Sequence, residues 1–206
     1  MNRFCILLLI AALLLPLTAI AAQPPLPELS NEELATLRSG EPLLRDEVYA
    51  DPNGNSCGSG YALIKVDASP DEVWKQILDY NHYADFFPNV DEAVLYRQEG
   101  ELYFTRFTLS VIAVVKVTYH CKHTLHREDG WLEWRLDDTK PNDFKKTDGR
   151  WVVWPFENGS LLSYAVFVDS GRDVPKFIQN MASKWGLKQV VLSVKRRVES
   201  GGRYTR

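Results

Sequence analysis

The stretch VKVTYHCKHTLH, residues 115–126, holds the densest chemistry in the chain: His120, His123 and His126, with Tyr119 and Cys121 between them. An H-x-x-H-x-x-H spacing invites a metal. The surrounding pattern argues against one. Val115, Val117, Tyr119, Cys121, His123 and Leu125 fall on one parity, and Lys116, Thr118, His120, Lys122, Thr124 and His126 on the other. That is the alternation of a half-buried strand, in which successive side chains point to opposite faces. His123 therefore faces away from the other two, and His120 and His126 lie about 20 Å apart at ~3.3 Å per residue. No shared metal fits, and no cofactor motif accompanies them. His123 and Tyr119 remain on the apolar parity. Tyr164 occupies the same kind of position in SLLSYAVFVD, beside Leu162, Val166 and Val168, and Trp134 does so in WLEWRLD, beside Leu132 and Leu136. Polar rings on a greasy face can orient a ligand carbonyl or quinone. They can also serve acid–base catalysis, or simply hydrogen-bond to one another or to water inside a core.

Other chemistry is sparse. NGNSCGSG precedes a strand instead of joining strand to helix, so it is no phosphate loop. Ser163 and Ser170 lack a nucleophile-elbow context. Asp79 reads as a structural tie at a helix end. Cys57 and Cys121 allow either a disulfide or a buried free thiol at Cys121.

The elements that must hold these residues are legible in order. QPPLPEL, residues 23–29, is a Pro-rich linker, after which Ser30 caps a short helix with Glu33 completing a capping box and Gly40 ending it. DPNGNSCGSG is turn chemistry throughout and predicts a loop, with the compact domain starting near Tyr61. YALIKVDA is a strand. Ser69 caps the next helix, Pro70 takes its first position, and Asp71 and Glu72 suit its positive end. Val73, Trp74, Ile77 and Leu78 form its apolar face, and a further helical turn around Tyr83 to Phe86 precedes Pro88. A hairpin follows around Glu99-Gly100, then the long alternating run VIAVVKVTYHCKHTLHRED from Val111, a turn at Asp129-Gly130, a strand in WLEWRLD, either one strand or a pair broken at Asp148-Gly149 in DFKKTDGRWVVWPF, and a strand in SLLSYAVFVD. Residues 174–198 are helical in pattern, with Phe177, Met181 and Trp185 stacked at i, i+4 and a bend expected at Gly186. The sum is an α+β domain: a curled antiparallel sheet of six or seven strands gripping a long C-terminal helix.

The chain has 206 residues and a formal charge of −3. It lacks the basic face that nucleic acid requires. MNRFCILLLIAALLLPLTAIAA, residues 1–22, has the basic start, apolar run and small-residue end of a cleaved signal peptide. Export, to the periplasm, is the expectation. It divides the chain into a leader to 22, an extension 23–59, a domain 60–198 and a tail 199–206.

The stretch VDASPDEVWKQILDYNHYADFFPNV resembles the signature of the START-like, polyketide cyclase and coenzyme-Q-binding superfamily, the helix-grip fold. The matching residues are Ala68, Pro70, Asp71, Val73, Trp74, Asp79, Tyr83, Phe86, Phe87 and Pro88, and GRDVPKFIQNMASKWGLKQVVLSVKRRV resembles its closing helix. The resemblance spans about 60–198. It implies a tunnel between sheet and C-terminal helix that holds a lipid, isoprenoid or polyketide, with no resident cofactor. Placed in that fold, Phe86, Phe87, Tyr119, His123, Trp134, Tyr164, Phe177, Met181 and Trp185 become the expected ligand-binding residues. Phe86 and Phe87 are expected to divide, one anchoring the short helix and one standing at the pocket rim. The first expectation is a non-enzymatic carrier of a hydrophobic small molecule, in transient contact with a membrane surface. A cyclase- or hydrolase-like enzyme, and an interaction module with a filled cavity, are the alternatives.

Overall fold

The computed structural model describes residues 23–50, 56–112, 115–169 and 184–206. Eight antiparallel strands form one sheet in the order β1-β2-β8-β7-β6-β5-β4-β3. They are β1 (Leu43–Ala50), β2 (Ser56–Val66), β3 (Val90–Glu99), β4 (Leu102–Ile112), β5 (Val115–His126), β6 (Trp131–Leu136), β7 (Lys146–Phe156) and β8 (Gly159–Asp169). Helix α1 (Asn31–Arg38) precedes the sheet, and α2 (Pro70–Ile77), a 3-10 turn (Tyr80–His82) and α3 (Tyr83–Phe86) link β2 to β3. Helix α4 (Lys184–Glu199) packs against β2, β1, β8, α2 and α3.

Local chemistry sets most of these boundaries. Ser30 and Ser69 both close capping boxes, with Glu33 and Glu72 returning the bond, and Pro70 opens α2. Each box satisfies two of the N–H groups a helix start leaves orphaned. Gly100, at φ 57, turns β3 into β4, and Gly130, at φ 65, turns β5 into β6. Register slips between Val90 and Glu92 and between Leu95 and Arg97 mark bulges in β3, which increase local twist.

Two expectations are corrected and one open choice is decided. The sheet has eight strands because the Gly- and Ser-rich run, read as a loop, is already strand from Ser56. Cys57 and Gly58 pair with Tyr49 and Val48 on one side and with Asp169 and Val168 on the other. Two flanking ladders hold backbone whose side chains have little strand preference of their own. Residues 51–55 lie outside the described residues. Second, of the two alternatives for 146–156 the chain takes the single strand: Asp148 and Gly149 sit within β7, paired to Phe167 and Val166. Third, the alternating run from Val111 is two strands, with Val111 and Ile112 ending β4 and Val115 starting β5. The expected helical residues 174–183 fall outside the described residues, and Gly186 lies in the first turn of α4.

The inner face of the sheet carries the main core, and a second core covers part of the outer face. The inner core joins β2, β4, β5, β6, β7 and β8 to α2, α3 and α4 through Ile64, Trp74, Phe107, Leu132, Leu162, Leu187 and Val191. On the outer face Leu37 of α1 packs with Leu63, Trp131, Val152, Trp154 and Leu161. The Pro-rich segment, read as a linker, is tied to this second core. The Gln23 amide donates to the Val153 carbonyl at 3.1 Å and the Trp154 indole donates to the Pro24 carbonyl at 2.9 Å.

Candidate functional site

Between the inner face of the sheet and the ends of α3 and α4 lies a cavity of about 130 Å³. Period-2 alternation supplies most of its wall: Phe107 and Leu109 from β4, Tyr119, Cys121 and His123 from β5, Trp134 from β6, Trp151 from β7, and Tyr164, Val166 and Val168 from β8. The connection after α3 adds Phe87 and Pro88, and the start of α4 adds Trp185, Gly186, Gln189 and Val190. The rings interlock. Tyr164 lies nearly parallel to Trp134, centroids 5.5 Å apart, and 4.4 Å from Trp151. Tyr119 sits 4.8 Å from Phe144 and 5.3 Å from Phe107. One glycine makes this wall possible. Gly149 pairs with Trp134, and a Cβ there would collide with the Trp134 ring and the Ala165 carbonyl. The missing side chain is the space the indole fills.

The polar groups of the wall divide into used and unused. The Tyr83 hydroxyl donates to the Ile77 carbonyl at 2.5 Å, and the Thr147 hydroxyl to the Phe167 carbonyl at 3.0 Å. His123 Nε2 lies 2.8 Å from the Thr105 hydroxyl, while its Nδ1 has no partner. Tyr119 and Tyr164 carry no hydrogen bond to any described residue. Burial holds the His123 imidazole down to about 3 and pushes the Tyr119, Tyr164 and Cys121 groups up, because a low-dielectric site disfavours the charged form of each. All four are therefore neutral at physiological pH. No described lining residue is Lys, Arg, Asp or Glu.

Of the nine residues nominated from sequence, Phe87, Tyr119, His123, Trp134, Tyr164 and Trp185 line the cavity. Phe86 does not. It is 1 % exposed, beneath the Arg197 guanidinium at 5.3 Å. The expected division of Phe86 and Phe87 needs correction in one respect: both are buried, Phe87 at 5 %, and both belong to the same core. An irregular chain after a single helical turn can place two neighbours on one side, as their 4.5 Å centroid distance shows. Trp185, expected inward, is 58 % exposed and marks the cavity edge. Phe177 and Met181 lie outside the described residues. Sequence reading missed Phe144, which sits in a connection with no periodic signal, and Trp151. In RWVVWPF both parities are apolar because β7 is covered on both faces, so alternation carries no orientation there.

The remaining histidines serve the outer face. His120 Nδ1 meets the Pro141 carbonyl at 2.9 Å, and His126 stacks on Trp131 at 3.8 Å. Among the described residues no group of His, Cys, Asp or Glu is placed to hold a metal. Cys121 is a free, buried thiol. Asp79 accepts from His82 Nδ1 at 2.7 Å, tying the end of α2 to the 3-10 turn.

Residues 61–199 match the family model described as Polyketide cyclase / dehydrase and lipid transport. The chain belongs to that family. Its fold is the helix grip, and solved structures agree. A STAR-related lipid transfer protein from Xanthomonas axonopodis superposes with a TM-score of 0.59 at 14% identity, covering 75% of this chain and 98% of that one. The Zhui aromatase/cyclase from Streptomyces sp. R1128 gives 0.58 at 16%, covering 78% and 97%. A START superfamily protein from Mycobacterium smegmatis gives 0.57 at 16%, covering 69% and 97%. No curated protein matches the chain. Identities this low carry the fold and nothing finer. In this family member the strand alternation predicted for β5, β6 and β8 is what lines the space under α4.

Proposed function

We propose that this protein binds a hydrophobic small molecule in the cavity between the sheet and α4, without transforming it. The observation that carries the reading is a partly open cavity whose described lining is aromatic and uncharged. Packed interiors seldom leave voids larger than a water, and an apolar cavity of ~150 Å³ takes a benzene-sized ring. This cavity, at about 130 Å³, is on that scale. The family description names both enzymes and lipid transport, so catalysis needs separate weighing. General acid–base catalysis wants a group whose pKa lies near the working pH. His123, held near 3, is a poor base at neutrality, and tyrosines pushed up by burial are reluctant acids. That favours binding over a cyclase-type reaction.

The signal-peptide chemistry of residues 1–22 supports an exported, periplasmic setting, where a carrier for a poorly soluble molecule meets membrane surfaces transiently. Exposed Trp185 at the cavity edge suits such contact, since an indole favours the boundary between apolar and wet surroundings. Native mass spectrometry of protein purified from the periplasm tests the binding reading, joined to displacement of a fluorescent apolar probe by quinone, fatty-acid and isoprenoid compounds. A co-purifying mass or saturable displacement is expected. A ligand-free protein that takes up none of them would overturn it and favour the interaction module.

A further inference from the structure

Two half-buried phenols on one cavity wall usually find each other or a backbone carbonyl, because an unmet hydroxyl in an apolar site is costly. Tyr119 and Tyr164 do neither. They stand on β5 and β8, with β6 and β7 between them, which in a flat sheet would separate them by about 14 Å at ~4.8 Å per strand. The curl of the sheet brings both, with Tyr83, into the lining of one cavity. The Tyr83 hydroxyl is committed to Ile77. The other two are not.

His123 adds a third polar group with a deducible tautomer. Thr105 is fully buried, and its hydroxyl meets only His123 Nε2. If that hydroxyl donates, its proton is satisfied and the ring carries its own proton on Nδ1. If it accepts, both the threonine proton and the Nδ1 lone pair go unmet. The first arrangement leaves fewer orphaned groups, and it makes the unpartnered Nδ1 a donor. The wall thus offers neutral donors and, among the described residues, no cation to balance an anion and no carboxylate to balance a cation.

We propose that the molecule seated here is uncharged, has a ring-sized body, and carries a carbonyl-type acceptor oxygen received by the Tyr119 and Tyr164 hydroxyls. This rests on reading the cavity as a ligand site and narrows it. A fatty-acid carboxylate is disfavoured, because stripping water from an anion is repaid only by a countercharge, and the described lining residues supply none. A pure hydrocarbon fits but leaves the hydroxyls unmet.

Three probes of nearly one shape separate these cases: acetophenone, α-methylstyrene (the same outline with CH₂ for oxygen) and benzoate. Binding to the intact protein is measured by ligand-observed NMR titration at pH 7.5. Acetophenone should bind about five- to tenfold tighter than α-methylstyrene, the scale of one or two net hydrogen bonds, and benzoate more weakly than both. In Tyr119→Phe combined with Tyr164→Phe the acetophenone preference should shrink to about twofold or less while α-methylstyrene binds as before, which also reports an intact cavity. Each single variant should lose part of the preference. Equal affinities for acetophenone and α-methylstyrene, or tightest binding of benzoate, would overturn the proposal and leave the hydrophobic-ligand reading standing. Failure of all three probes to bind would overturn both.

Discussion

At the scale of single residues, His123 couples the cavity to pH. Its folded pKa, about 3, lies below the ordinary value of 6.5 because the ring is buried away from water. Between those values the unfolded chain binds the extra proton and the folded one does not, so stability is flat above about pH 6.5 and falls as pH drops toward 3. By pH 4.5 this one group costs about 2–3 kcal/mol. Urea midpoints for wild type and His123→Leu at pH 7.5 and 4.5 should show the leucine variant losing that much less on acidification. Identical losses would mean the imidazole is hydrated when folded. His82 works the other way, since the Asp79 bond raises it, but it is largely exposed and its effect is screened. The phenylalanine pair gives a second residue-scale test. Both are buried, so Phe86→Ala and Phe87→Ala should each cost about 3–5 kcal/mol. Only Phe87 touches the cavity, so only its truncation should alter apolar-probe uptake by the folded fraction. Thermal melts paired with probe titrations read both effects.

At the scale of elements, the β6–β7 pair depends on one absent side chain. Trp134 lies over Gly149, and the indole is part of the cavity wall. Gly149→Ala places a methyl where the ring sits, with the Ala165 carbonyl closing the other direction. The ring must rotate away or the strands must part. Overpacking of this kind costs about 1–3 kcal/mol. A lowered melting temperature with a changed near-ultraviolet tryptophan signal is expected, because Trp134 stacks on Tyr164. Unchanged spectra would show that β7 can bend without disturbing the wall. The other end of the cavity is held differently. The Arg206 guanidinium donates to the Val90 carbonyl at 3.1 Å and its amide to the Asp85 carbonyl at 2.9 Å. The tail thereby braces the connection that carries Phe87 and Pro88.

At the scale of the whole molecule, the sheet is a wall between two cores, and the N-terminal segment is structural. Leu37 is fully buried against Leu63, Trp131, Val152, Trp154 and Leu161. Burial of one leucine is worth about 1.5–3 kcal/mol, and removing residues 23–40 uncovers the facing tryptophans as well. The shortened chain should lose several kcal/mol in urea unfolding and bind an apolar dye on the outer face. A shortened chain as stable as the full one would show that the second core contributes nothing beyond coverage. The salt bridges of this segment, Arg38 to Glu157 and Arg45 to Glu33, are exposed pairs and add little.

What the sequence determined by itself was local and periodic. Ser30-x-x-Glu33 and Ser69-Pro70 announced their helices because capping chemistry is contained within a few residues. The parity of Tyr119, Cys121 and His123 against His120 and His126 told which side chains go inward, because a strand has a period of two wherever only one of its faces is covered. The same parity failed at Trp151 and Val152, since β7 has a core on each side. It failed again at Cys57 and Gly58, which are strand only because β1 and β8 flank them. The cavity was decided by tertiary structure alone. Alternation says that Tyr119 and Tyr164 point inward, but not how far the sheet curls between β5 and β8. Nor does it say how much of the enclosed space the indole over Gly149 takes up. Those distances follow from twist and side-chain volume summed over strands far apart in sequence, and no local pattern encodes the sum.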